Sequence, residues 1–516
     1  MRGLTGRFRP PVVRRRCRSR SGKEPCVRQP RPICQPRRFC WPCPICRSRA
    51  FGSPGLVCSQ GLPCRRPCPL HRLRLSRRGG RADVGCAAGG RRGAQSGRGR
   101  LVHREVPRRV PLGRRATSGF QSEGSFPDSN WTRYAASGAG DVSDPYRDSV
   151  DFRHRYPADL KLAENLGVDV FRTSVEWARI EPRRGHRDPE ALAYYDDLIR
   201  RIKANGMRPM LTLDHWVYPG WVADQGAWDN PRTQDDWLRN ARFVVDRYKN
   251  QGVIWITFNE ASAYIYKELT HRPMDLGQML KMRDALIKTH RAAYDMIHRL
   301  DPGALVSSNV AYGTALNGIF DAALFNDVTD KLDFIGIDYY YGANLQNLTS
   351  VYALTGEFWK IDPEPEGLYY VLKSYQKRLP HLPVYIVENG MSTDNGKPRP
   401  DGYTRSDHLR DHIYWIQRAM ADGVKMMGYN YWSLTDNYEW GSYRPRFGLY
   451  TVDALTDPTL TRRPTDAVPT YRSIIANRGV PSGYVPVRRP GWCSIEDPVA
   501  TCLGTTPTPP AAYRVP

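Results

Sequence analysis

The first 115 residues of this 516-residue chain contain no tyrosine, one tryptophan (Trp41), one lysine (Lys23) and three acids (Glu24, Asp83, Glu105), against 30 arginines. That stretch carries a net +28 while the whole chain carries +25, so residues 116–516 sum to −3. The basicity belongs to one end, and an argument for nucleic-acid binding by the main body fails. Cysteine is as unevenly spread: ten of twelve lie between Cys17 and Cys86, leaving Cys493 and Cys502 near the C-terminus. No run of roughly 18 apolar residues occurs, so no membrane-spanning helix is expected. No apolar stretch of the kind a secretory signal needs follows Met1.

Three readings of residues 1–115 compete. Cys40, Cys43 and Cys46 form C-x2-C-x2-C, which suggests an iron–sulfur or metal module. Position 50, where a fourth cysteine would stand, is Ala50, and the spacing of Cys58, Cys64 and Cys68 is irregular. Arginine clusters such as Arg14–Arg15–Arg16 would suit phosphates or an anionic surface. The favoured reading is a disordered or mistranslated Arg/Pro/Cys-rich segment. Such a bias against lysine and tyrosine, without periodic apolar residues, cannot offset the entropy of ordering.

From Ala116 onward the chain has a different texture. Short apolar and β-branched runs recur at 116–121, 168–175, 208–215, 253–259, 304–310, 332–338, 383–388 and 424–431. Amphipathic stretches separate them. In 234–250, Trp237, Ala241, Val244, Val245 and Tyr248 share one helical face. Eight strands alternating with helices predict an α/β fold, a (β/α)8 TIM barrel over 116–479. A doubly wound sheet is the alternative, but no glycine-rich phosphate loop follows the first strand. Residues 480–516 read as a Pro-rich tail. Within it Cys493 and Cys502 can close a short disulfide loop or remain two free thiols.

The C-terminal rim of such a barrel is where catalysis sits. Glu260 ends the fourth predicted strand in Thr257-Phe258-Asn259-Glu260, and Glu388 ends the seventh in Ile386-Val387-Glu388-Asn389-Gly390. Strands four and seven face one another across a barrel mouth. Two carboxylates placed there can flank one glycosidic bond, one protonated to assist departure and one ionised to attack. Either motif alone is weak, because a lone strand-end glutamate is more often a solvated or paired rim residue.

Together with the motifs around them, these residues resemble glycoside hydrolase family 1 from about Ala116 to Gly479. The resemblance rests on Gly119-Phe120-Gln121-Ser122-Glu123-Gly124, Phe171-Arg172-Thr173-Ser174, His215-Trp216, Asn259-Glu260, Tyr340, the Glu388 motif, and Trp432 through Trp440. It implies Glu260 as general acid/base and Glu388 as nucleophile, with Arg172 and Tyr340 beside the nucleophile. It implies Gln121, His215, Trp216, Asn259, Trp432, Glu439 and Trp440 as substrate-binding residues. The chain departs from the family pattern at Ala261 (usually Pro), Asp338 (usually Asn) and Val217-Tyr218-Pro219 (usually Asp-Leu-Pro). It also has a short stretch between Glu260 and Glu388, which would leave the aglycone side more open.

The implied activity is retaining hydrolysis of terminal β-D-glucosyl residues, with β-galactosyl or β-fucosyl tolerance. A transglycosylase or endo-acting glycanase of the same barrel superfamily is the nearer alternative, and a non-catalytic carbohydrate- or nucleic-acid-binding protein the more distant. The expected partner is a β-glycoside or oligosaccharide, with no nucleic acid for the barrel, and no residue pattern sets an oligomeric state. No metal or organic cofactor is implied. A Cys493–Cys502 bridge would fit a secreted protein, and free thiols a cytoplasmic one.

Overall fold

The computed structural model describes residues 112–138, 140, 142–312, 321–341 and 348–488. The expectations for residues 1–111 and for Cys493 and Cys502 lie outside them.

A parallel sheet forms the centre. Its strands are β1 (Leu112–Ala116), β2 (Val170–Ser174), β3 (Arg208–Asp214), β4 (Ile254–Phe258), β5 (Leu305–Ser307), β6 (Asn309–Ala311), β7 (Ile335–Asp338), β8 (Val384–Glu388) and, after a short β9 (Thr393–Asp394), β10 (Met426–Trp432). The hydrogen-bonded order is β5-β4-β3-β2-β1-β10-β8-β7-β6. Since β5 and β6 are joined through Ser308 alone, the two ends of that order meet and the sheet closes as an eight-position barrel. The break is bridged by side chains: Ser307 donates to the Phe334 carbonyl (2.6 Å) and Ser308 to the Phe258 carbonyl (2.7 Å), satisfying acceptors where the ladder is interrupted. Outside the ring, β9 pairs antiparallel with β11 (Pro445–Arg446).

Alternation along each strand divides two cores. Val170, Met210, Ile254, Ile256, Phe334, Tyr385 and Val387 cluster together inside the ring. Their neighbours Phe171, Leu211, Trp255 and Ile386 belong to the larger cluster shared with the surrounding helices. The helix Arg232–Tyr248 buries Trp237, Ala241, Val244, Val245 and Tyr248, the face its periodicity predicts. Removing Trp237 to Ala would cost about 3–5 kcal/mol in packing.

The first strand differs from the sequence expectation. It spans Leu112–Ala116 rather than 116–121, and residues 119–123 form a short helix. Two-sided pairing decides this: Arg114–Ala116 lie against Val170–Arg172 on one side and Asn430–Trp432 on the other. Pairing of this kind overrides the weak β-propensity of Gly113-Arg114-Arg115. The barrel therefore begins four residues before the boundary expected at Ala116. At the other end, residues 480–488 run along the helix Arg405–Ala421. Val480 N–H donates to Gln417 (2.8 Å), while Tyr484 Oη (2.6 Å) and the Val487 and Arg488 amides (both 2.9 Å) donate to Asp411.

Candidate active site

Each side chain at the mouth is held by a local device that the sequence encodes. The short helix Gly119–Glu123 lies so close to Glu176 that a Cβ on Gly119 would sit 2.4 Å from its Cγ. Ser174 accepts the Gly119 N–H (2.6 Å) and Glu176 accepts the Phe120 N–H (3.3 Å), fixing the turn that presents Gln121. Burial, with the charge of Glu123 nearby, lifts Glu176 to about 8. At the end of β3, Asp214 accepts from Trp237 Nε1 and from the Trp216 N–H, both at 2.9 Å. This pins the His215-Trp216 pair with Trp216 in the left-handed region (φ 70°). After Glu388, Gly390 passes so near the chain that a Cβ would stand 2.1 Å from the Trp432 carbonyl oxygen, so only glycine fits there.

Glu388 is 4% exposed and its two oxygens have different partners. Arg172, wholly buried, donates through Nη1 to Oε1, and Tyr340 donates to Oε2 at 2.6 Å. Arg172 also reaches Asn259 Oδ1 (2.6 Å) and Thr212 Oγ1 (3.1 Å), so its fork spans three strands. With one donor on each oxygen, the Glu388 carboxylate is fixed in position. Burial and the Glu388 charge push the Tyr340 hydroxyl well above its ordinary value, which keeps it a donor.

Glu260 follows β4 in the left-handed region (φ 40°). It is surrounded by protein yet partly open to the cavity, and Asn259 Nδ2 lies 3.3 Å from its Oε2. Burial, then the charge of Glu388, raises its pKa well above the usual carboxylate range. Oxygens of Glu260, Asp338 and Glu388 all lie within 4.8 Å of one another. Among the described residues no other trio of Asp, Glu, His or Cys converges so closely, and Glu388 is the member that pairs with the Arg172 guanidinium.

Opposite the carboxyls, Glu439 accepts from Gln121 Nε2 (3.0 Å) and Trp432 Nε1 (2.8 Å). Burial, with Glu388 adding to it and the Trp432 N–H opposing it, raises Glu439 to about 7. His215 stacks between Trp432 (6.0 Å) and Trp440 (5.9 Å), and Trp216 stacks on Trp440 at 4.2 Å. Burial and then Arg172 depress the His215 imidazole well below its ordinary value. Its Nδ1 has no partner among the described residues.

These groups surround one cavity of about 460 Å³, lined by Gln121, His215, Trp216, Glu260, Tyr340, Glu388, Trp432, Glu439 and Trp440. Arg172 and Asn259 stand behind the lining rather than in it. Sequence reasoning missed Asn309, whose amide joins Asn259 (2.7 Å) to Asp338. Its place at the rim of the fifth strand was the available signal. It also missed Tyr341, Phe358 and Trp359 on the outer wall. Of the short stretch between Glu260 and Glu388, residues 313–320 and 342–347 lie outside the described ones.

Known proteins resemble this chain in sequence and in fold. The chain is 32% identical over 350 residues to the chloroplastic galactolipid galactosyltransferase of Arabidopsis thaliana, covering 59% of this chain and 55% of that one. It thus spans little more than half the length of that relative. Beta-glucosidase A of Thermotoga maritima is 25% identical over 438 residues, covering 71% and 96%. A solved structure of a Thermotoga maritima beta-glucosidase in complex with castanospermine superposes with a TM-score of 0.63 at 23% identity. It covers 73% of this chain and 100% of that one, which supports the barrel fold. The model of glycosyl hydrolase family 1 matches residues 112–317 and 314–480. The chain therefore belongs to glycosyl hydrolase family 1.

Proposed function

We propose that the protein is a retaining β-glycosidase acting on terminal, non-reducing β-D-glucosyl residues, with β-galactosyl or β-fucosyl residues also accepted. The observation that carries this is the approach of Glu260 and Glu388, whose oxygens come within 4.8 Å. Retaining pairs stand roughly 5–5.5 Å apart, whereas inverting pairs leave roughly 6.5–9.5 Å for a water.

In the first step a Glu388 oxygen attacks the anomeric carbon while Glu260 gives its proton to the departing oxygen. A glycosyl ester on Glu388 and a free aglycone alcohol result. Esterification removes the Glu388 charge that helped hold the Glu260 proton, so Glu260 can take a proton from water. That water attacks the same carbon, the ester bond breaks, and both carboxyls return to their starting states. Glu439, Gln121, His215 and Trp432 would hold the glycon, and the anionic Glu439 would repel a 6-phosphate.

A second reading is transfer to an acceptor alcohol instead of water. It is favoured by the relative named a galactolipid galactosyltransferase and by the aromatic outer wall of Tyr341, Phe358 and Trp359. A panel of aryl β-glycosides, run with and without galactolipid as acceptor, separates the two. Release of free sugar with an adduct on Glu388, mapped by mass spectrometry, supports hydrolysis. A transferred sugar supports the second reading, and absence of turnover on every β-glycoside in the panel refutes both.

A further inference from the structure

The outer wall of the cavity rests on a segment with little of its own to hold it. Phe358–Lys360 is a single 3-10 turn, and none of its three residues is buried. So short a turn leaves the carbonyls at its C-terminal end without partners inside it. Arg399, from the loop between β9 and the helix Arg405–Ala421, supplies the donors. Its Nη1 donates to the Trp359 carbonyl (2.8 Å) and to the Ile361 carbonyl (3.1 Å), as a basic side chain can at a helix end. The Arg399 side chain is 6% exposed, and Asp401 holds its other edge, accepting from Nε (3.2 Å) and Nη2 (3.1 Å). Asp401 is itself tied down by the Tyr403 N–H (3.0 Å) and by Arg488, at the end of the run 480–488. On the cavity side, the Arg444 guanidinium lies 4.5 Å over the Trp359 ring and pairs with Asp394 of β9. Phe358 stacks on Tyr341 at 5.9 Å.

Resting on the reading of this cavity as a glycosidase site, we propose that Arg399 is a positioning residue for the leaving group. It sets the wall of Phe358 and Trp359 against which an aglycone with an apolar body, aryl or alkyl, packs. The layout of the cavity makes the assignment. Glu439 and Gln121 stand opposite the carboxyls, where the glycon is held. Glu260, whose proton goes to the departing oxygen, opens the helix Ala261–His271, and that helix brings Ala263 and Tyr266 to the same lining as Phe358 and Trp359. A leaving group that departs past Glu260 therefore meets rings rather than the Glu439 carboxylate. Arg399 stands behind this lining and touches neither sugar nor reacting atoms. Without it the turn loses two hydrogen bonds and the wall can draw back, while the partners of Glu388 and Glu439 stay in place. The defect should fall on the leaving group and vanish once the aglycone has gone.

The test compares octyl and methyl β-glucosides, the first below its micelle concentration, on wild type and Arg399→Ala. For the octyl compound kcat/KM should fall about tenfold, the equivalent of roughly two methylene groups returned to water, with little change for the methyl compound. The kcat for dinitrophenyl β-glucoside, where hydrolysis of the glycosyl ester limits the rate, should not move. Arg399→Lys, lacking the planar fork, should restore part of the octyl preference. Equal losses on both glucosides, or an octyl preference left intact, would overturn the proposal. If Arg399→Ala does not fold, Asp401→Ala, at a side chain 30% exposed, should shift the octyl-to-methyl ratio in the same direction, and an unmoved ratio overturns it. If the wild type turns over neither glucoside, the glycosidase reading fails separately, and calorimetric binding of the two glucosides decides the role of Arg399. Tighter octyl binding that Arg399→Ala removes supports it, whereas equal binding of the two by the wild type, or none, overturns it.

Discussion

Replacing Glu439 with Gln is the most informative single perturbation of the glycon site. Both oxygens of Glu439 already accept a protein N–H, from Gln121 at 3.0 Å and from Trp432 at 2.8 Å. An ionised carboxylate has about four lone-pair sites, so about two remain for sugar hydroxyls. A glutamine keeps one oxygen only. Whichever way its amide turns, either Gln121 or Trp432 faces an N–H instead of an acceptor. Hydrogen bonds to a charged group contribute about 1.5–3 kcal/mol and neutral ones about 0.5–1.5. Two weakened sugar contacts and one unmatched donor therefore give about 2–4 kcal/mol, or roughly 30- to 900-fold in kcat/KM. The assay is an aryl β-glucoside compared with its 4-deoxy and 6-deoxy analogues on both enzymes. Losses from variant and deoxy substrate should be less than additive where the missing hydroxyl is the one Glu439 holds. Since burial lifts Glu439 to about 7, wild-type glycon affinity should also weaken as the pH falls through that value, because protonation removes the anionic acceptor. The Gln variant should lack that step. A loss under threefold, full additivity with both analogues, and an unchanged pH profile would refute the placement of Glu439 at the glycon.

Three further outcomes are expected. Glu388→Gln should abolish turnover, while Glu260→Ala should still release the aryl group of an activated substrate in one burst and then stall, as stopped-flow absorbance would show. Deleting residues 1–111 should leave the melting temperature and aryl-glucosidase rate unchanged, whereas deleting 1–116 removes a strand paired on both edges and should yield no cooperative melt. Asp411→Ala should lower the melting midpoint by several degrees, since it strips the acceptor from Tyr403, Tyr484, Val487 and Arg488, a loss of about 2–4 kcal/mol. Asp411→Asn should recover part of it.

Much of this site is legible in the amino-acid sequence alone. A barrel strand announces itself by a short apolar run, and the rim residue is the polar one that ends it. Glu260, Glu388, His215 and Trp432 all stand at such ends, and the fold brings them to one cavity. Local pattern fails where pairing decides. Leu112–Ala116 has no apolar alternation, yet two neighbours force it into the ring. The fifth strand reads as one run, and the ring geometry breaks it at Ser308 so that each half pairs with a different neighbour.

Contacts across strands are the other illegible part, and Asp338 shows why. As a sequence position it differs from its family by one amide nitrogen, which by itself says nothing of chemistry. Its meaning depends on a one-residue register slip beside Glu388, on a wholly separate strand supplying Asn309, and on Glu260 arriving from a backbone conformation few residues adopt. Shifting any of the three strands by one residue would turn the carboxyl to the other face of the sheet. A buried carboxyl with no N–H donor on one oxygen is costly while it is charged, and burial, with Glu388 beside it, pushes Asp338 well above the usual carboxylate range.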